Sequence, residues 1–357
     1  MNSNYGNALL IYGGGLCDSA NAVMRKTADQ IVQTQLFDKV FVGFNSFEAM
    51  LNPLFIKEWG QGICQEAELT HGGFFGTCRD VWLTEAKLRD KAVSIMKCMG
   101  IKWIFVCGGD GSARNCAEIA EDFEKDEIKI AFLLPCTVDG IEGSRSIGIR
   151  PAVRASIDII DQLASTCLNT RTKFKAPGLI VELQGRNRDD ILANVIVKTE
   201  LCKFDNKPLI FAIPANYNWN MENLISQVNN QKNDQIPVLV LVSEGANNEL
   251  ISRFNMKTYE FLQKQFIRKT RTFEIGHLTQ MNGCTDEDDM AEIQEMLAMA
   301  FLPMINAIKI GKPFSIAYNN NMVTIEDINY YRELNPRSGQ NPKLPKVLEE
   351  HLLRFVP

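Results

Sequence analysis

Histidine is scarce: the chain has 3 in 357 residues, beside 10 cysteines that form no C-x-x-C pair. A zinc site built from cysteine and histidine is therefore not expected. Positive charge is not in excess either. Lysine plus arginine number 38 against 43 aspartate plus glutamate, a net charge of −5. That balance argues against non-specific nucleic-acid binding, so an anionic ligand would need a local cluster of arginines. No basic segment followed by an apolar stretch stands at the N-terminus, so no signal peptide is expected. No apolar run reads as long enough to span a bilayer, which takes roughly 20 residues, so no membrane partner is expected. Scattered thiols without a leader fit a cytoplasmic protein with reduced cysteines. Internal repeats and low-complexity segments are also missing.

What is present is ordinary for a globular chain: 45% hydrophobic and 23% charged residues. The length suggests two domains. Short apolar runs of strand length lie at 8–12, 40–44, 103–107, 128–134, 179–183, 209–213 and 237–242. Helical patterns follow many of them, at 19–34, 84–99, 113–123 and 152–165. Such alternation predicts an α/β fold: two Rossmann-like domains with mainly parallel sheets flanked by helices. The second strand–helix series begins after Pro151 and runs to about Glu274. Residues 286–302 read as an amphipathic helix, with Met290, Ile293, Met296, Leu297 and Phe301 on one side. The expected division is 1–148 plus about 279–325, then 149–278, then a tail at 326–357.

In sheets of this kind ligands bind at the carboxyl ends of strands, which directs attention to three loops. The first, IYGGGLCDSANAVMRK, closes a strand with Gly13, Gly14 and Gly15 before a helix. Its glycines suit either an anion at a helix N-terminus or merely a tight left-handed turn. The second, GGDGS at 108–112, precedes a helix whose Cys116, Ala117, Ala120 and Phe123 share a face, with Ser112 as its expected N-cap. Asp110 repels bare phosphate but suits a magnesium ion that bridges phosphates; the other reading is a turn in which it bonds backbone. The third, LPCTVDGIEGSRSIG at 134–148, places Asp139 just past a strand end beside Thr137. Asp139 fits a general base, or equally a turn-forming Asp-Gly pair.

Taken in order, these loops, with a later G-R pair and a G-H-x-x-Q segment, resemble 6-phosphofructokinase over residues 8–300. GGDG alone is shared with NAD kinases and diacylglycerol kinases; the ordered set is more specific. The resemblance implies the phosphofructokinase fold, with the first domain nucleotide-binding and the second holding the sugar phosphate. It implies that Gly13 and Gly14 form the first phosphate loop, with the helix from Asn21 to Arg25 behind it. Gly72, Gly73, Gly76, Thr77 and Arg79 match the segment whose arginine contacts nucleotide phosphate. Gly108, Gly109, Asp110, Gly111 and Ser112 match the nucleotide loop, with Asp110 as the Mg2+ ligand. Thr137 and Asp139 match the substrate loop and its catalytic base, and Gly185 and Arg186 match the segment that handles the sugar phosphate, with Arg186 also catalytic. Arg271, Gly276 and His277 match a substrate-binding segment whose arginine reaches a neighbouring subunit. Gly111 and Cys136 stand where pyrophosphate-using members carry aspartate and lysine, so ATP is the implied donor. An oligomer follows too, of this chain alone or with another phosphofructokinase-like chain.

The departures fall on the sugar side. The family's T-x-D-N-D reads TVDGI here, with Ile141 in place of the second aspartate and Glu142 one residue away. The methionine before Gly185 is Gln184, an expected sugar-binding glutamate is Ala215, and an arginine after the G-H pair is Gln280 or Met281. Another expected arginine is missing near 175–177, where Lys173 and Lys175 supply charge without the bidentate fork. Each charge-assisted hydrogen bond lost is worth about 1.5–3 kcal/mol. The sequence thus implies an ATP-dependent enzyme that phosphorylates fructose 6-phosphate, or a non-catalytic subunit that keeps the nucleotide.

Overall fold

The computed structural model describes residues 5–15, 17, 19–70, 73–78, 81–138, 140–167, 176–185, 188–199, 208–231, 235–247, 255–280, 287–319, 322–334 and 344–357. The chain divides into two compact units, Met1–Pro151 with Gln280–Gln340, and Ala152–Thr279 with Asn341–Pro357.

The first unit is built on a seven-stranded sheet. Its strands are β1 (Asn7–Gly13), β2 (Val40–Gly43), β3 (Ile56–Glu58), β4 (Ile101–Gly108), β5 (Lys129–Pro135), β10 (Phe314–Asn319) and β11 (Met322–Asp327). Their order is β11-β10-β5-β4-β1-β2-β3, with β3 and β11 antiparallel to their neighbours and the rest parallel. NALLIYG and IKWIFVCG are almost wholly buried, as parallel strands covered on both faces must be. Helix α1 (Ala20–Gln33) buries Val23, Met24, Ala28 and Ile31. α2 (Gln61–Leu69) and α3 (Ala86–Cys98) follow, and then α4 (Asp110–Glu124), which buries Cys116, Ile119, Ala120 and Phe123.

The expected N-cap is corrected here. α4 opens at Asp110, with extended Gly109 at the N-cap position, and Ser112 is already helical and buried. Gly109 is packed against Thr137, which a Cβ there would meet at 3.2 Å, so a residue without a side chain takes the cap position at the strand end.

A second correction concerns the helix expected at 286–302. α9 (Glu287–Ile310) is longer and continues past Pro303. Among the described residues it is the one helix long and apolar enough, by length and composition, to cross a membrane. It buries Ile293, Met296, Leu297, Ala300, Met304 and Ile308, and Gln30 of α1 donates to the Leu297 carbonyl. That packing reads as a core helix of the unit.

The second unit holds four parallel strands, β6 (Gly178–Leu183), β7 (Leu209–Ile213), β8 (Val238–Ser243) and β9 (Thr270–Glu274), in the order β7-β8-β6-β9. α5 (Ile149–Cys167) leads into it, and α6 (Asp190–Thr199), α7 (Met221–Asn229) and α8 (Thr258–Gln265) cover the sheet. Its core includes Ile180, Phe211, Leu224, Val240 and Leu262. α10 (Tyr330–Leu334) belongs to the first unit, whereas α11 (Lys346–Leu352) packs on α6. The last residues continue along the second unit: Ala212 N donates to Phe355 O at 2.9 Å and Asn220 N to Pro357 O at 3.0 Å.

Candidate functional site

In the first sheet the chain passes from β1 to β2 on one side, and returns through β4 to β5 on the other. The crevice between the carboxyl ends of β1 and β4 is thus the topological switch point, where open α/β sheets bind ligands. Gly13 and Gly108 end these two strands and pair directly across them.

Both glycines are required by close approach. A Cβ on Gly13 would lie 2.5 Å from Ser112 Oγ and 2.9 Å from the Phe47 ring. One on Gly108, whose φ is +155°, would lie 2.1 Å from the Gly13 carbonyl oxygen. Without these methyls the first turn of α4 is drawn against the end of β1. Helix amides in that turn have no intrahelical acceptor and carry the positive end of the dipole. Gly14, Gly15, Gly111, Ser112 and Asn115, with Thr77 and Cys78 opposite, line a cavity of about 420 Å³. Glycine amides, a helix N-terminus and this volume suit phosphate groups of a small ligand.

The segment carrying Thr77 and Cys78 is positioned from both sides. Asn21 of α1 donates to Thr70 O and accepts from Phe74 N, each at 3.0 Å, and Asn45 N donates to Phe75 O at 2.7 Å. Arg79, next in the chain, lies outside the described residues, as do Asp139 and Arg186.

Thr137 lies against the start of α4: a Cβ on Gly109 would touch it at 3.2 Å. Its amide donates to Ile147 O at 2.8 Å, and Cys136 N to Gly108 O at 2.8 Å. Cys136 is buried, with its Sγ 3.7 Å from that of Cys17, and its carbonyl accepts from Tyr12 Oη at 3.4 Å. The contact with Cys17, together with burial, pushes the Cys136 thiol well up, so this position brings no charge to the crevice. Tyr12 also donates to Gly15 O at 3.2 Å, tying the loops after β1 and β5 together.

The loop beyond Thr137 turns into the core. Ile141 is buried in one cluster with Phe132 and Tyr331. Tyr330 Oη donates to Gly143 O at 3.1 Å, Tyr318 N to Ser144 Oγ at 2.9 Å, and Arg145 pairs with Glu292 at 2.9 Å. Glu142 is half-buried. It directly precedes Gly143, whose carbonyl takes the Tyr330 bond.

Among the described residues no group of three or more histidine, cysteine or acidic side chains could hold a metal ion. Asp110 is the acidic residue in the first turn of α4. That fits magnesium held chiefly by ligand phosphates with one protein carboxylate.

The remaining expected residues lie in the second unit. Gly185 follows β6, and its carbonyl accepts from Gly245 N at 3.1 Å. Gly276 and His277 follow β9, the neighbour of β6. Arg271 is not brought to that end. It pairs with Leu179 near the start of the strands, and its Nη1 meets Cys167 Sγ at 3.9 Å.

The sequence reading missed the carboxylates of this unit. Glu182 and Glu274, opposite one another on β6 and β9, are bridged by Lys257 at 3.3 and 2.6 Å. Burial alone would depress the ammonium, but Glu274 and Glu182 outweigh it and hold the lysine charged. Glu244, one residue past β8 and beside Gly245, is a further acidic candidate. Asp189, almost fully buried, accepts from Ala215 N at 2.8 Å, Asn216 N at 3.0 Å and Ser243 Oγ at 2.7 Å, locking the loops after β6, β7 and β8. The signal was available in NRDDIL, an acidic pair before an apolar helix.

Burial raises the Asp189 carboxyl, and the three bonds only partly oppose it. The folded state therefore holds the proton more tightly than the unfolded chain. Its stabilising contribution is full below the ordinary carboxylate pKa, about 3.9, and is lost as pH rises through the raised folded value. Urea unfolding of wild type against Asp189→Asn should show the wild-type advantage shrinking across that window. An unchanged difference from pH 4 to pH 7, to take about those limits, would contradict the assignment.

A glycine-lined crevice at the switch point of a mainly parallel sheet marks an α/β protein whose candidate site lies in the first unit. A family model described as Phosphofructokinase matches residues 7–300, and the chain belongs to that family. An ATP-dependent 6-phosphofructokinase of Mannheimia succiniciproducens is 23% identical over 278 residues, covering 75% of this chain and 77% of the relative. One of Macrococcus caseolyticus is 24% identical over 184 residues, so the match spans 51% of this chain and about half, 54%, of that relative. In fold, the chain is similar to a pyrophosphate-dependent phosphofructokinase of Marinobacter aquaeolei, with TM-score 0.74, 16% identity, and 98% and 91% of the two chains covered. It is also similar to the Pichia pastoris phosphofructokinase in the T-state, with TM-score 0.72, 17% identity, and 93% of this chain and 36% of that one covered.

Proposed function

We propose that the first unit binds ATP with magnesium and that the chain is an ATP-dependent 6-phosphofructokinase acting in the cytoplasm. The observation that carries this reading is the open space at Gly111: a Cβ there meets nothing within 4 Å, although the residue lines the cavity. An α-phosphate and nucleoside have room beyond the β- and γ-phosphates, and the buried neutral Cys136 adds no cation for a bare pyrophosphate. Both family resemblance and curated relatives named for ATP support the donor.

In this reading Gly13, Gly14 and the amides of 108–112 hold the phosphates, and Asp110 shares the magnesium ion. The metal would screen phosphate charge. Asp139 accepts the proton of the fructose 6-phosphate hydroxyl as it attacks the γ-phosphorus and the bond to the β,γ-bridging oxygen breaks, releasing ADP, with Thr137 beside it. Arg79 and Arg186 neutralise charge on the transferring group. The second unit, through Gly185, Arg186 and His277, receives the sugar phosphate, and Arg271 serves a neighbouring subunit of an oligomer.

Burial of Ile141 favours a second reading, a non-catalytic subunit that keeps the nucleotide and pairs with a competent chain. A coupled assay for fructose 1,6-bisphosphate separates the two. ATP-dependent turnover is expected; no turnover with ATP or pyrophosphate, by a protein that still binds nucleotide, would establish the second reading instead.

The donor assignment has its own test. Gly111→Asp places its Cβ in open space, so thermal stability should hardly change. Its charge would oppose the phosphates by roughly 1–4 kcal/mol at 4 Å, weakening MgATP by about fivefold or more. Undiminished MgATP affinity in this variant would place the nucleotide elsewhere.

A further inference from the structure

α9 meets its own unit with one side only. Ile293, Met296, Leu297, Ala300, Met304 and Ile308 are buried and share that side at helical spacing. The opposite side carries Ala291, Glu295, Ala298, Leu302, Ile305 and Lys309, whose spacing alternates four and three residues. That is the period of a seam along which a second helix packs. Leu302 is 68% exposed, Ala298 and Lys309 are exposed, and Ile305 is half-buried. A single surface leucine needs no explanation. Here alanine, leucine and isoleucine follow one another along a seam, on a helix whose other side already fills a core. Among the described residues nothing covers this face, and contiguous apolar surface of this kind marks an interaction site.

Charge along the seam says what fits it. Glu287, Asp288 and Glu295 stand toward the N-terminal end of α9, and Lys309 and Lys312 at or just beyond its C-terminal end. Glu295 lies 3.7 Å from Arg145 yet keeps a half-exposed side chain. Lys309 and Lys312 meet no carboxylate among the described residues. Glu295 and Lys309 flank Leu302 symmetrically, two turns away on either side, or about 10.5 Å along the axis. A second copy of the helix, antiparallel and crossing at Leu302, therefore sets Glu295 toward the partner subunit's Lys309. A parallel copy would set like charge on like. Ala298, one turn from Leu302, leaves room for the leucine of the second copy, and a two-fold axis at the crossing makes every contact twice. A lipid surface fits less well, because helices that lie on membranes are rich in lysine and arginine on their polar side, whereas the N-terminal half of this face is acidic.

We propose that the solvent-facing side of α9 is a two-fold self-association surface of the first unit, with a second copy of this chain as its partner. The contact is separate from the neighbouring subunit that Arg271 would serve, and it does not depend on which phosphoryl donor or acceptor the chain uses.

Sedimentation of the full chain over a range of concentrations tests it, with circular dichroism as the control for folding. A single helix seam belongs to the small end of specific interfaces, roughly 1,200 Å² in total or less, so the association should be reversible. Leu302→Glu should raise the dissociation constant of this step by about tenfold or more, because it brings two carboxylates together at the crossing. Should that variant fail to fold, Leu302→Gln reads the same step. Glu295→Lys and Lys309→Glu should each weaken association, and the two changes in one chain should restore it, as the antiparallel arrangement alone requires. Association unchanged by the folded Leu302 variants, or a double exchange that restores nothing, would overturn the proposal. So would a wild type that stays monomeric up to about 0.1 mM. Binding to vesicles of phosphatidylcholine and phosphatidylserine that Leu302→Glu abolishes, with self-association untouched, would also overturn it and assign the face to lipid.

Discussion

Gly108→Ala should abolish measurable nucleotide binding and destabilise the first unit. The added methyl would sit 2.1 Å from the Gly13 carbonyl oxygen and 2.7 Å from Ser112 Oγ. The nearer contact is backbone of the neighbouring strand, so no side-chain rotation relieves it, and the φ of +155° is poor for alanine. The end of β4 must separate from β1, and the first turn of α4 moves with it. Losses of about 3 kcal/mol or more belong to strain of this kind. Displaced amides should weaken MgATP at least about 100-fold, or roughly 2.7 kcal/mol. Gly111→Ala is the internal control. It adds the same methyl to the same helix in open space, and relieving a helical glycine stabilises by about 0.5–1 kcal/mol. Thermal unfolding and nucleotide titration of the pair check both statements. Equal behaviour of the two variants would remove the close approach of β1 and α4 as the basis of the site.

Ile141→Asp should destabilise the protein rather than restore a lost carboxylate. The family pattern after Thr137 and Asp139 invites that exchange, which on sequence grounds looks like a repair. In the structure Ile141 is 4% exposed and packs with Phe132 and Tyr331. An aspartate there loses the burial of an isoleucine, leaves a cavity and brings an unpaired charge into the core, together costing about 3–5 kcal/mol. Chemical denaturation measures the loss, and a fructose 6-phosphate assay under native conditions measures any gain in activity. A stable variant with increased turnover would mean that residue 141 reaches the cleft.

The glycine loops of the first unit were legible because their signal is local. Gly13, Gly108 and Gly111 are separated by few residues from the strand ends and helix starts that give them meaning, and periodicity located those elements. Ser112 shows the limit of that reading. A serine before a helical pattern suggests a cap, but Gly109 takes the position, because the close packing of β1 against α4 decides where the helix begins. Length misled at α9: the residues after Leu302 continue helical through Pro303, and its apolarity became visible only with its full extent. Distant pairings left less trace. Nothing local in GIEG announces that Gly143 is held by Tyr330, 187 positions along the chain. Nor does NRDDIL reveal that Asp189 bonds residues 215, 216 and 243, although it does mark the start of α6. Ile141 stands out in the sequence as a departure from the family pattern, yet only its packing shows that the position is part of the core.

The central claim is that the switch-point crevice of the first unit is an ATP site. Calorimetric titration of the full chain with ATP in excess magnesium tests it most directly, run beside Gly108→Ala. The account predicts saturable binding at one nucleotide per chain, competed weakly by pyrophosphate and lost in the variant. Saturable binding of pyrophosphate without binding of ATP, or ATP binding that survives Gly108→Ala in full, would contradict it.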